Sequence, residues 1–280
     1  MQQKSISLRI SRLIRNSPKS IFPSARWHCE NAIHEIRCKL LFGILNWAPK
    51  QNRISFLAYC PDSVPRLPDM SALYTRWISG NKINNNGDGT RFLSLILNLR
   101  QLIRDETKGD FAELGVWKGN SAAILAKFAA ENDRKLILFD TFSGFDGRDL
   151  IEVDANHNLA FGNTSVDQVK RNVEYADTVQ YRIGYFPETL TESDKNSRFA
   201  FVHLDCDLYG PMKSALEFFY ARMSIGAMMV VHDYSSGTWS GATKALDEFT
   251  KATGEHLVLW PDKSGTAMFR KAMSTNNLSP

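Results

Sequence analysis

The sequence predicts an α/β fold: a doubly wound, mostly parallel seven-stranded sheet with a C-terminal antiparallel hairpin. Three observations carry this. From residue 111 onward, strand-like apolar runs alternate regularly with segments of helical spacing, the pattern of a parallel sheet covered by helices on both faces. The last two runs, His256–Trp260 and Thr266–Arg270, are joined by Pro261-Asp262-Lys263-Ser264-Gly265, a hairpin-type turn that adds an antiparallel strand. The composition is globular: 280 residues with 43% apolar and 23% charged side chains exclude disorder and a fibrous repeat.

Ahead of the alternation, Pro61, Pro65 and Pro68 block a helix over 51–70, and Asn84-Asn85-Asn86-Gly87-Asp88-Gly89 reads as a loop. Phe92, Leu95, Ile96, Leu99, Leu102 and Ile103 then recur at helical spacing, so 90–105 is a helix with one buried face. Phe111–Val116 is the first strand and Asn120–Glu131 an alanine-rich helix; Lys135–Phe139 is the second strand, ending at Asp140. The helix Ser165–Ala176 leads to the strand Val179–Ile183. Phe199–Leu204 is a strand ending at Asp205, and the helix Pro211–Arg222 carries proline in its first turn, where a missing N–H costs little. Ala227–Val231 and the helix Thr243–Thr253 precede the hairpin. Residues 142–164 show no periodicity, and a loop of that length is a lid, a binding loop or a solvated excursion. It holds Asp146, Asp149, Glu152, Asp154 and His157, among which the sequence does not choose.

The net charge of +4 is too small to imply a nucleic-acid partner, but it is unevenly spread. Residues 1–50 hold nine Lys/Arg against two Glu, leaving 25 against 28 in the rest. The expected division is a basic N-terminal extension and linker over 1–70, then a catalytic domain over 71–280. No run reaches the roughly 20 apolar residues of a spanning helix. The apolar segment Leu40–Ala48 lacks a signal-peptide context; it packs on the domain or a second subunit, or lies on an anionic membrane surface as a peripheral contact. Cys29, Cys38, Cys60 and Cys206 show no C-x-x-C spacing, so neither a disulfide framework nor structural zinc is expected, and the chain reads as reduced and cytoplasmic.

A doubly wound sheet binds ligands at the carboxyl ends of its strands. At the first, Glu113, Gly115, Gly119 and Ser121 form E-x-G-x-x-x-G-x-S between strand and helix. The glycines let backbone approach a ligand, the helix N-terminus offers N–H groups, and the acid suits a cationic group such as an amino-acid amine. The alternative is a tight turn capped by Asn120 or Ser121. Trp117 excludes the G-x-G-x-x-G dinucleotide fingerprint. Asp140 can accept both hydroxyls of a ribose, or simply form a turn. Further on, Asp205, Asp207, His232 and Asp233 stand at two strand ends. If those strands are neighbours, Asp205, His232 and Asp233 converge as ligands for Mg²⁺, Mn²⁺ or a softer divalent ion; otherwise the acids cap helices and turns. Such an ion lowers the pKa of a bound hydroxyl, and a nearby carboxylate takes the proton. His203, inside a strand pattern, reads as a packed core histidine.

These pieces, in order and spacing, resemble the macrocin O-methyltransferase family of class I S-adenosylmethionine-dependent methyltransferases, which act on sugar hydroxyls. The resemblance runs from about Ser71 to Lys271 and rests on FAELGVWKGNSA at 111–122, FDTFSGF at 139–145 and GYFPETL at 184–190. It continues through HLDCDLYGPMKSALEFFYARMSIGA at 203–227, HDY at 232–234 and the helix around Ala245–Phe249. It implies a Rossmann-like fold, with Glu113, Gly115 and Gly119 at the amino-acid end of the cofactor and Asp140 at its ribose. It further implies Mg²⁺ at Asp205 and at the pair before Tyr234, and Asp205 as the base. The family pattern has two aspartates before that tyrosine where this chain has His232-Asp233, so the identity of the metal does not carry over. Homodimers or larger homo-oligomers, helped by N-terminal segments, are also implied.

The resulting expectation is a metal-assisted O-methyltransferase acting on a small-molecule or glycan acceptor: a nucleotide sugar, a glycosylated natural product or a polysaccharide. Two rivals remain. Asp205-Cys206-Asp207 also matches the D-x-D of nucleotide-sugar glycosyltransferases, and the His232 departure fits a catalytically inactive, methyltransferase-like binding subunit.

Overall fold

The computed structural model describes residues 70–80, 82 and 88–272, all within one compact unit, Phe56–Pro280. The basic extension, the Leu40–Ala48 segment, the proline-spaced loop up to residue 69 and residues 83–87 of the Asn/Gly loop lie outside the described residues. Two helices, α1 (Ser71–Gly80) and α2 (Gly89–Arg104), precede the first strand. The alternation follows as β1 (Asp110–Leu114), α3 (Asn120–Ala130), β2 (Leu136–Asp140), α4 (Val166–Asn172), β3 (Val179–Ile183) and α5 (Glu192–Asn196). It closes with β4 (Phe199–Leu204), α6 (Tyr209–Arg222), β5 (Met223–Val231), α7 (Ser240–Thr253), β6 (Val258–Leu259) and β7 (Ala267–Arg270).

The strands form one sheet in the order β3-β2-β1-β4-β5-β7-β6. β1 to β5 run parallel, while β7 is antiparallel to both β5 and β6, as the hairpin reading requires. Successive strand side chains point to opposite faces, which builds two cores from one sheet. Phe111, Leu136, Leu138, Phe201, Met228 and Val230 pack under α1 to α4. Their neighbours Ala112, Ile137, Phe139, Val202, Met229 and Val231 pack under α6 and α7. The strand order reverses between β1 and β4, and the crevice outside that reversal is where the site lies.

Boundaries differ from expectation where local chemistry intervenes. β1 stops at Leu114 because Gly115 turns the chain with φ 85°. α4 ends at Asn172 because Val173 is already extended. β5 begins four residues earlier than the apolar run, at Met223, and β6 shrinks to two residues. α1 and α5 escape the periodicity argument. α1 buries Leu73 and Trp77 alone, and the five-residue α5 is held by a capping box between Thr191 and Asp194.

Candidate active site

The sheet ladder sets the site. Leu114 pairs with Leu204 and Leu204 with Val231, so the residues that follow leave three adjacent strands side by side. Asp205 N donates to Leu114 O at 2.8 Å and His232 N to Leu204 O at 2.9 Å. Asp205, His232 and Asp233 are therefore neighbours, as the sequence reading required. His232 Nδ1 lies 2.8 Å from Asp205 Oδ1 and 2.8 Å from Asp233 Oδ2. Both ring nitrogens of His232 are buried, and neither makes a hydrogen bond of good geometry. One donor atom from each of the three residues falls within 4.8 Å of the others. A nitrogen and two carboxylate oxygens converging in this way fit a divalent cation, which would bind in place of the His232 proton because ligation needs the neutral imidazole.

Charge is finely opposed here. Burial works to raise the Asp205 carboxyl, but the His232 and Arg91 cations outweigh it and hold it well below the usual carboxylate range. Burial and the Arg91 charge work to lower His232, yet Asp205 and Asp233 push it up to about 10. Asp207 is raised well above the ordinary range by burial and then by the Asp205 and Asp233 charges.

On the other side of the crevice the predicted residues divide. Gly115, Ser121 and Asp140 line the cleft; Glu113 and Gly119 do not. Glu113 is fully buried, accepts from Ser121 Oγ at 2.5 Å and sits 2.7 Å from His203 Nδ1. Gly115 is needed for chain packing: a Cβ there would stand 2.0 Å from the Asp205 carbonyl oxygen. A Cβ on Gly119 would press on Val169 and Val173 of the α4 segment at 3.0 and 3.1 Å. Asp140 does form a turn, its Oδ2 accepting from Val116 N at 2.6 Å and Trp117 N at 2.9 Å and its Oδ1 from Phe142 N at 2.6 Å. It also faces the cleft, with lone pairs left for a ligand hydroxyl.

The cleft encloses about 400 Å³, within the range of small-molecule sites. Its outer wall is aromatic and was missed by the sequence reading. Trp117 packs on Phe161 at 5.2 Å, Phe161 on Phe145 at 5.2 Å and Phe145 on Trp239 at 5.5 Å, so rings bridge from the β1 end to the start of α7. Trp117, Phe161, Asp207 and Asp233 adopt φ of 45°, 60°, 62° and 61°, a concentration of left-handed backbone typical of functional sites. Within the 142–164 loop, Asp146 and Asp149 reach the cleft, and His157 lies against Trp239 at 4.6 Å. Asp154 is fully buried and accepts from Tyr209 N at 2.7 Å, pinning the loop to α6. The aromatic residues lie in non-periodic loops, which leave no pattern to read. Arg91 was also missed, although its spacing from Leu95 and Leu99 places it on the buried face of α2.

Comparison with known proteins places these features in context. Residues 88–270 match the family model described as macrocin-O-methyltransferase (TylF). A tetracenomycin rhamnosyl 4'-O-methyltransferase of Streptomyces olivaceus is 32% identical over 147 residues, covering 48% of this chain and 56% of that protein. Mycinamicin III 3''-O-methyltransferase of Micromonospora griseorubida is 31% identical over 147 residues, covering 47% and 58%. The match thus spans somewhat over half the length of these curated relatives. Among solved structures, the O-methyltransferase NovP superposes with a TM-score of 0.57 at 21% identity, over 66% of this chain and 80% of that one. The calicheamicin methyltransferase CalS11 superposes at 0.56 and 19% identity, over 80% and 98%. At those identities the likeness establishes the fold.

Proposed function

Because the chain belongs to the macrocin-O-methyltransferase (TylF) family, we propose that it transfers a methyl group from S-adenosylmethionine to a hydroxyl of a sugar-bearing acceptor. The observation that carries this reading is the position of Asp205, at the reversal of the sheet, flanked by His232 and Asp233 and facing the cleft that also exposes Gly115 and Asp140. The acceptor class is a nucleotide sugar, a glycosylated natural product or a polysaccharide; the two curated relatives described above are named for rhamnosyl and mycinamicin substrates.

S-adenosylmethionine supplies a methyl already activated on a sulfonium, so the protein has chiefly to hold an acceptor oxygen in line with it. Asp140 forms the wall suited to the ribose, and Gly115 and Ser121 line the end suited to the amino-acid moiety. Glu113 acts behind that wall by fixing Ser121 and His203. Asp205, at the β4 end and facing the cleft, is the carboxylate placed to accept the hydroxyl proton as the methyl–oxygen bond forms and the methyl–sulfur bond breaks. Asp205, His232 and Asp233 would hold a divalent ion, Mg²⁺ or a softer one, whose chemistry is to lower the pKa of a bound hydroxyl.

The test is methyl transfer from labelled S-adenosylmethionine to a panel of rhamnosides and nucleotide sugars. Asp205→Asn is expected to lose about 10²- to 10⁴-fold in turnover while S-adenosylhomocysteine binding persists; unchanged turnover would remove Asp205 from the reaction. Chelation with EDTA is expected to stop turnover and Mn²⁺ to restore it. An enzyme indifferent to chelation would contradict the metal assignment. The reading also includes a cytoplasmic homo-oligomer whose N-terminal segment contacts a second subunit or a membrane surface, which size measurement and vesicle sedimentation check.

A further inference from the structure

We propose that Arg91 is a positioning residue that turns Asp205 toward His232 and Asp233, which makes helix α2 part of the active site. The inference rests on the reading of Asp205, His232 and Asp233 as a cation centre. Arg91 lies in the first turn of α2, is buried and lines the cleft. Its Nη2 donates to Asp205 Oδ2 at 2.7 Å and sits 3.3 Å from His203 Nε2. The other nitrogen of His203 faces Glu113 Oε1 at 2.7 Å, and Glu113 is an acceptor there. His203 therefore carries its proton on Nδ1, an assignment from its partners, and offers Arg91 a lone pair at Nε2. The backbone of Arg91 is fixed as well: its N–H donates to Asp88 Oδ1 at 3.1 Å, and Trp77 Nε1 donates to the Asp88 carbonyl at 3.2 Å. The Trp77 ring lies 5.8 Å from the guanidinium.

The consequence is a division of labour on one carboxylate. With Oδ2 held by Arg91, the Asp205 side chain cannot rotate freely, and Oδ1 is left pointing to His232. Ser121, Glu113, His203 and Arg91, all buried, thus form one chain of contacts that ends on the partly exposed Asp205 at the cation centre. Both contacts come from one nitrogen, Nη2, at the far end of the arginine side chain, and the ammonium of a lysine, on a shorter stem, stops short of the place that Nη2 occupies. Arg91→Lys keeps the charge beside the centre and changes the orientation, which separates the two effects.

The experiment is titration of full-length wild type, Arg91→Lys, Arg91→Ala and Asp205→Asn with Mn²⁺ alone, alongside S-adenosylhomocysteine affinity and the thermal midpoint. Partners that orient a metal ligand are worth about 10- to 100-fold in metal affinity, and Arg91→Lys is expected to lose that much Mn²⁺ affinity while cofactor-product affinity and midpoint hold. Added guanidinium, and not sodium at equal ionic strength, is expected to restore Mn²⁺ affinity to Arg91→Ala; if that variant does not fold, Arg91→Lys decides alone. Wild-type Mn²⁺ affinity in Arg91→Lys would overturn the proposal, as would an equal loss of S-adenosylhomocysteine affinity, which would make Arg91 a general packing residue. A wild type that takes up no Mn²⁺, with Asp205→Asn indistinguishable from it, would instead overturn the cation-centre reading on which the proposal rests.

Discussion

At the ends of β1 and β4 the two backbones come so close that the residue type at 115 is dictated by the neighbouring strand. Gly115 has φ 85°, and any Cβ would meet the Asp205 carbonyl. Gly115→Ala is expected to cost about 1–2 kcal/mol for the conformation alone, with a further cost from the collision, and to displace Asp205. Chemical denaturation together with turnover checks this; a stable and active variant would mean that the strands separate easily. The convergence of Asp205, His232 and Asp233 was legible because strand ends in a parallel sheet share one edge. The burial of Glu113 was not legible, since its partner His203 comes from a strand 90 residues later. The motif also hid why its glycines are there: they admit neighbouring chain segments.

Among the elements, the 142–164 loop shows most clearly where pattern reading stops. Its charged residues look alike in sequence, yet Asp154 is fully buried and tied to Tyr209 N while Glu152 is exposed. Asp154→Ala leaves that N–H without its partner, at a cost of about 1–3 kcal/mol, and is expected to speed proteolytic cleavage within 142–164. Unchanged cleavage would show that the aromatic contacts alone hold the loop. The short helix α5 offers a pH test. Asp194 is fully buried, accepts from Thr191 N at 2.9 Å and pairs with Arg182 Nε at 2.7 Å. Burial works to raise its pKa, but Arg182 and Thr191 prevail and lower it below the usual 3.8. The unfolded chain therefore takes up this proton first as the pH falls. The contribution is complete above the unfolded value near 4 and is lost on descent through the lower folded one. Asp194→Asn is expected to be less stable at pH 7 and to show a shallower loss of stability below pH 4 than wild type. Parallel stability curves would assign the acid sensitivity elsewhere.

For the molecule as a whole, the fold was readable because short apolar strand runs and helices of period 3.6 alternate along most of the chain after residue 110, and a parallel sheet with covered faces follows from that. Its two cores are the two faces of the same strands, so the described unit supplies its own apolar burial. Residues 56–280 expressed alone are accordingly expected to unfold in one transition with unchanged S-adenosylhomocysteine affinity; a broad or multistep transition would show that the preceding residues complete the fold. What the sequence left dark was the aromatic wall and the buried link through Arg91, because both join residues far apart in the chain through loops and side-chain rotamers. The measurement that bears most directly on the central claim is calorimetric titration with S-adenosylhomocysteine, with and without Mn²⁺. Saturable one-site binding at micromolar concentration, weakened by Asp140→Ala, is the result predicted for a cleft built to hold a nucleoside against β1 and β2. No binding under either condition, with a nucleotide diphosphate sugar binding in its place, would contradict the account.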